Sequence, residues 1–204
     1  MLFNLFYLDI IKDRLYCEAP AGALRRSAQT AMYLILNTLT KILAPILAYT
    51  SDEIWKAMPH SKEDDAENVL FNQMSKPFAL SVDQAFMDKW NRIYAVCGDV
   101  QKALEEKRSE KLIGKSLDAK VTLYCDGELF TFLSGVKGEL KTIFICSQVE
   151  VLNGTGEFSG ETEGLSITVT KAEGEKCERC WVYDDSVGKD AEHPTLRCAG
   201  VMKN

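Results

Sequence analysis

The chain has 204 residues, of which 46% are apolar, enough to bury one full domain and a smaller appendage, so disorder is excluded as the default. Acidic residues outnumber basic ones by 30 to 24, and the formal net charge of −6 excludes a whole-chain polycation that grips nucleic acid indiscriminately. Any RNA contact must come from local basic faces.

The first eleven residues, Met1 to Ile11, are strongly apolar but carry no basic leader, contain Asp9 and run into Lys12, Asp13 and Arg14. That is too short for a membrane span and unlike an export signal, so a cytoplasmic protein with reduced thiols is expected. Leu2, Phe3, Leu5, Phe6, Tyr7, Leu8, Ile10 and Ile11 leave almost no polar face, and such a helix is normally covered on all sides. Either it lies in the middle of a bundle, or the chain begins where a larger protein was cut, which is the favoured expectation.

From Arg25 to Ile46 apolar residues recur at three-and-four spacing (Ala28, Ala31, Met32, Ile35, Leu39, Ile42, Ile46), which predicts one helix, bent or ended at Pro45. Thr50 with Glu53 predicts a capping box opening a short helix through Trp55, closed by Pro59. Residues 61–78 read as an irregular crossing. Ser81 with Gln84 predicts a second capping box, and Val82, Phe86, Trp90, Ile93, Cys97, Val100 and Leu104 predict a long amphipathic helix of about seven turns.

Past Gly114 the period changes. Lys120 to Cys125 reads as a strand, Glu128 to Phe144 as a helix, and Gln148 to Leu152 and Leu165 to Lys171 as strands, with Asn153 to Gly164 as a hairpin-like connection between the last two. The expected class is therefore α+β: a mainly α-helical bundle over residues 1–112, a small α+β unit over 113–172 and a cysteine-rich knuckle over 173–204.

Cys17, Cys97, Cys125 and Cys146 lie in apolar segments and read as ordinary buried side chains. Cys177 and Cys180 stand two residues apart in a turn, with Cys198 eighteen positions on, and two thiols so spaced can reach one metal ion. A tetrahedral structural zinc wants a fourth ligand, for which His193, in a His-x4-Cys arrangement with Cys198, is the nearest candidate. The alternatives are three unliganded thiols or a redox Cys-x-x-Cys. A redox pair belongs at a helix start in a thioredoxin-like βαβ unit, which is not expected around Cys177. A bound zinc would contribute most of the folding energy of the last thirty or so residues, about 10 to 16 kcal/mol in finger peptides.

Several segments together resemble one family. Tyr7-Leu8-Asp9-Ile10, Lys12-Asp13-Arg14-Leu15-Tyr16, Arg25-Arg26 with Gln29-Thr30, Ala44-Pro45-Ile46 and Asp52-Glu53-Ile54-Trp55 look, in order and spacing, like the anticodon-binding helical domain of bacterial isoleucyl-tRNA synthetases. Leu104-Glu105 with Arg108, Gly114-Lys115-Ser116-Leu117-Asp118-Ala119, and Lys176-Cys177-Glu178-Arg179-Cys180-Trp181 extend the resemblance to the carboxy terminus. Valyl and leucyl relatives would share the first group, and the cysteine-rich tail points to the isoleucyl branch. The family's tail ends in a second Cys-x-x-Cys, whereas here Leu196 is followed by Arg197 and Cys198.

The resemblance implies a class I ligase that joins isoleucine to its tRNA with ATP and edits mischarged valine, in catalytic and editing portions outside this chain. Neither a His-x-Gly-His signature nor a Lys-Met-Ser-Lys-Ser loop occurs, and Met74-Ser75-Lys76 is a chance fragment of the latter. The expected partners are isoleucine tRNA and the remaining synthetase, with no membrane and no DNA. No catalytic residue is expected, and ATP belongs to the catalytic portion.

Recognition of a single-stranded loop needs bases stacked on flat side chains and phosphates met by cations. Trp181 is the candidate for stacking, or else only covers the metal cysteines. Arg25, Arg26, Arg179, Lys102, Lys107, Arg108 and Lys111 are the candidate cations. Glu105, Glu106 and Glu110 interleave with the last group, so a solvated, salt-bridged helix face is the competing reading there. The alternative function is a free-standing adaptor that binds tRNA or protein without linked catalysis.

Overall fold

The computed structural model describes residues 6–76, 82–189 and 196–202. The chain divides into two compact units, Pro20–Ser81 and a discontinuous unit of Met1–Ala19 with Val82–Asn204.

In the unit Pro20–Ser81, helices α2 (Ala23–Leu43) and α3 (Ala48–Ala57) are followed by a single 3-10 turn, Val69–Phe71. Helix α2 stops two residues before Pro45, as the missing ring N–H requires. The chain then keeps turning: the amides of Ile46 and Leu47 both bond the Leu43 carbonyl, at 2.9 and 2.8 Å. Helix α3 therefore starts at Ala48 with no side-chain cap, and Thr50 lies inside its first turn rather than at its cap. Trp55 is fully buried among Ala44, Met58 and Val69. Its indole N–H donates to Asp65 O at 2.9 Å, which pins the irregular segment after α3 to the helices.

In the other unit, α1 (Leu8–Cys17) buries Ile11, while Phe6 meets Tyr94 edge-on at 5.3 Å and packs with Ile10 against the main core. The remaining apolar residues of the start, Leu2, Phe3 and Leu5, lie outside the described residues. Helix α4 (Gln84–Ser109) buries Ile93, Cys97, Val100 and Leu104 of the expected stripe, whereas Val82 and Phe86, at its start, are exposed and Trp90 is half-buried. Ser81, expected as its cap, also lies outside the described residues. Asp83 is the N-cap, its Oδ1 accepting from the Phe86 amide at 2.8 Å.

Strand β1 (Ala119–Tyr124) leads through α5 (Gly127–Phe144) to β2 (Gln148–Leu152), which pairs with β1 in parallel. β4 (Ser166–Lys171) pairs antiparallel with the other edge of β1, and the short β3 (Phe158–Ser159) pairs with β4. The sheet order is β2-β1-β4-β3. The run from Asn153 to Gly164 is thus no hairpin connection between neighbours, because β1 lies between the strands it joins. β1 wins the centre because Ala119, Val121 and Leu123 are fully buried, as only a strand flanked on both edges and covered can be. Cys17, Cys97, Cys125 and Cys146 are all buried, as small apolar side chains would be. No helix among the described residues is long and apolar enough to cross a membrane.

Candidate metal centre and nucleic-acid interface

Beyond β4 the chain forms a two-stranded hairpin, β5 (Glu175–Lys176) with β6 (Tyr183–Asp184), and a terminal helix α6 (Leu196–Met202). Gly174 enters the hairpin at φ +84, and a Cβ there would stand 2.6 Å from the Asp184 carbonyl carbon, so only glycine fits this approach. The hairpin's turn is the Cys177-Glu178-Arg179-Cys180 segment. It is closed by Trp181 N donating to Cys177 O and Cys177 N to Val182 O, both at 2.9 Å, and Trp181 takes the left-handed backbone at φ 65.

This turn and α6 bring the sulfurs of Cys177, Cys180 and Cys198 within 4.8 Å of one another. Cys177 Sγ and Cys198 Sγ are 3.8 Å apart and fully buried. An ion with metal–sulfur bonds of about 2.3 Å in tetrahedral geometry sets its sulfurs about 3.8 Å apart, so the donors fit a zinc centre. The Cys180 amide points at Cys177 Sγ, 3.5 Å away, and Arg179 Nη1 lies 3.5 Å from Cys198 Sγ, both arrangements that favour thiolates. Burial above all pushes the Cys180 thiol up to about 12. A redox Cys-x-x-Cys needs the opposite shift and a helix N-terminus, and this pair sits in a hairpin turn. His193, the expected fourth ligand, lies outside the described residues.

The knuckle is tied to the body of its unit by polar contacts. Ser147 Oγ donates to Leu117 O at 2.5 Å and accepts from Tyr183 N at 2.8 Å. Arg179 Nη1 donates to Cys17 O at 2.8 Å and Nη2 to Tyr16 O at 3.4 Å, so its guanidinium meets the carbonyls at the end of α1. Between α1, the end of α5 and the knuckle lies a cleft of about 870 Å³, with Tyr16, Lys141 and Trp181 in its walls. Trp181 is 54% exposed, and Lys115 Nζ stands 5.2 Å from its ring centre.

The structure separates the other candidates. Arg25, half-buried, and Arg26, exposed, lie in the first turn of α2. On α4, Lys102 pairs with Glu161 at 2.5 Å, Lys107 with Glu110 and Glu157 at 3.0 and 3.4 Å, and Arg108 with Glu105. That face is a ladder of ion pairs. Lys111, one turn beyond Lys107, sits at the left-handed end of α4 and has no carboxylate partner among the described residues. Sequence reasoning passed over Ser147, Lys115, Lys171, Lys176 and Tyr183. Two of them had a local signal: Lys176 beside the Cys-x-x-Cys turn, and Lys115 in the Gly-Lys-Ser-Leu-Asp-Ala turn, where Asp118 Oδ2 accepts from the Gly114 and Lys115 amides at 3.2 and 2.7 Å.

Comparison with known proteins bears on both parts of the chain. Residues 2–123 match the family described as the anticodon-binding domain of tRNA ligase. Residues 174–196 match a zinc finger found in FPG and IleRS, the segment that holds Cys177 and Cys180. Among curated relatives, the isoleucine-tRNA ligase of Geobacter sulfurreducens is 46% identical over 203 residues, that of Caldanaerobacter subterraneus subsp. tengcongensis 44% over 205, and that of Carboxydothermus hydrogenoformans 47% over 200. These alignments take in 97%, 97% and 96% of this chain but only 22%, 22% and 21% of the relatives, so the chain spans about a fifth of their length. With helices α1 to α4 and all but the last residue of strand β1 inside the first match, the chain belongs to the family of anticodon-binding domains of tRNA ligases.

Proposed function

We propose that this chain holds the anticodon stem-loop of isoleucine tRNA, as the carboxy-terminal portion of an isoleucine-tRNA ligase whose ATP-dependent aminoacylation and editing take place in other portions of the polypeptide. The observation that carries the reading is the family match over residues 2–123, together with relatives named isoleucine-tRNA ligase that align over nearly all of the chain. In this reading Cys177, Cys180 and Cys198 hold one structural zinc with His193 as the fourth ligand, and the protein works in the cytoplasm. Bound there, the metal would supply rigidity and no bond-making, with the three cysteines holding the hairpin turn that presents Trp181.

The chain's own residues do the recognising. Trp181, exposed beside the thiol cluster, offers a flat face on which an unstacked base can lie, worth about 1 to 3 kcal/mol per base in comparable platforms. Arg25 and Arg26 are proposed phosphate contacts on α2. Arg179, Lys107 and Arg108 are already engaged with carbonyls or carboxylates, so on this reading they shape the surface that the RNA meets.

The test is binding of the full chain to a fluorescent isoleucine-tRNA anticodon hairpin, with a hairpin of another tRNA as competitor. Wild type is expected to prefer the isoleucine hairpin, and Trp181→Ala to bind it about 5- to 150-fold more weakly, the range that loss of one stacked base implies. Equal affinity of wild type and Trp181→Ala would remove the stacking role. Indifference between hairpins would remove the specificity.

A further inference from the structure

A second cavity, of about 580 Å³, opens where the end of α4, the end of β4 and the knuckle hairpin meet. Three cations line it, Arg108, Lys111 and Lys171, against one carboxylate, Asp118, in a chain whose net charge is −6. Asp118 Oδ2 already accepts from the Gly114 and Lys115 amides, and Arg108 is paired with Glu105. Lys111 and Lys171 are exposed, and among the described residues neither reaches a carboxylate, whereas Lys102, Lys107 and Lys120 are each paired. The reason is local. The left-handed backbone at Lys111, φ 61, ends α4, so no following turn of helix supplies an acidic neighbour. Lys171 is the last residue of β4, beyond the reach of the ion pairs on β1 and β2.

One aromatic ring lines this positive pocket. Tyr183 forms part of its wall and carries Lys176 Nζ, which also stands 4.0 Å from Asp118 Oδ1, at 5.8 Å from its ring centre, whereas Trp181 lies in the wall of the neighbouring cleft. Two unpaired cations in a pocket with an aromatic wall suit a polymer that offers both phosphates and bases, and they suit an acidic peptide less well, because it has no bases to stack.

We propose that the cavity between α4, β4 and the knuckle is where this protein meets the phosphates of the bound RNA loop, with Lys111 and Lys171 as the contacting cations. The placement rests on the RNA-binding reading above and goes beyond it by moving the phosphate contacts off the ion-paired face of α4.

The experiment compares three forms of the whole chain, wild type, Lys111→Gln/Lys171→Gln, and Lys62→Gln/Lys137→Gln, which removes the same charge from exposed lysines that line neither cavity. Each is titrated with the isoleucine-tRNA anticodon hairpin from low to moderate salt. Removing one cation from a phosphate should lower the slope of log affinity against log salt by about 0.7 to 0.9. The cavity variant should therefore show a slope shallower by about 1.5, and the control variant one little changed. Equal slopes in all three, or equal reductions in both variants, overturn the assignment while leaving RNA binding itself intact. A wild type that ignores the hairpin even at low salt overturns the RNA reading, and the inference with it. Polyglutamate bound as tightly as the hairpin, and weakened equally in the cavity variant, overturns the choice of RNA as partner.

Discussion

Cys177 and Cys198 are 21 positions apart in sequence, yet their sulfurs are 3.8 Å from each other. Two thiols held so close by a hairpin turn and a short helix gain most from a shared cation, since each alone would pay for its burial. Cys177→Ser is therefore expected to drop the zinc content of the purified chain from near one per molecule to near zero. Zinc content unchanged by the substitution would end the metal assignment. The Cys-x-x-Cys part of this site was legible because a spacing of two residues forces proximity whatever the surrounding fold. The role of Arg179 was not legible, because its partners, the Tyr16 and Cys17 carbonyls, lie more than 160 positions away and leave no local pattern.

Between elements, the decisive contact is a buried carboxylate. Asp99 on α4 is 2% exposed and accepts from the amides of Glu161 and Thr162, at 2.8 Å each, so the loop before β4 is stapled to the helix. A Cβ on Gly160 would stand 2.2 Å from the Asp99 carboxylate, which is why the loop needs glycine there. Burial alone would raise the pKa of Asp99, but the hydrogen bonds from Thr162 and Glu161 outweigh it and hold it below the ordinary carboxylate value. Its stabilisation is thus fully present above the unfolded value of about 3.9 and is lost as pH falls through the lower folded value. Asp99→Asn should cost about 1 to 3 kcal/mol in urea melts at pH 6 and less at pH 2.5. An equal cost at both would show that charge plays no part. The sequence announced α4 through its stripe, and it announced β1, β2 and β4 through composition. It could not announce their order, since neighbours in sequence were read as neighbours in space and nothing local reveals that β1 takes the middle.

For the whole molecule, the two compact units differ greatly in what they bury. The unit Pro20–Ser81 has a cluster of four buried residues, Ala44, Trp55, Met58 and Val69. The other unit packs its helices and sheet around a core that runs from Ile93 through Val121 to Val169. On α2, Met32, Leu36, Leu39 and Leu43 recur on one face at 36 to 47% exposure, so much of the apolar surface of the smaller unit stays in water. A segment of this size buries too little of its unfolded surface to be more than marginal. Opening should therefore be local before it is global. In native-state hydrogen exchange, amides of α2 and α3 should show opening free energies at least about 2 kcal/mol below those of β1 and β4, a gap that a single cooperative transition cannot produce. Trp55, fully buried, offers an optical check, because its fluorescence in a Trp90→Phe/Trp181→Phe background should change at lower urea than the far-ultraviolet circular dichroism of the whole chain. Coincident transitions with uniform protection would mean that the two units fold as one body, and the exposed face of α2 would then need another explanation.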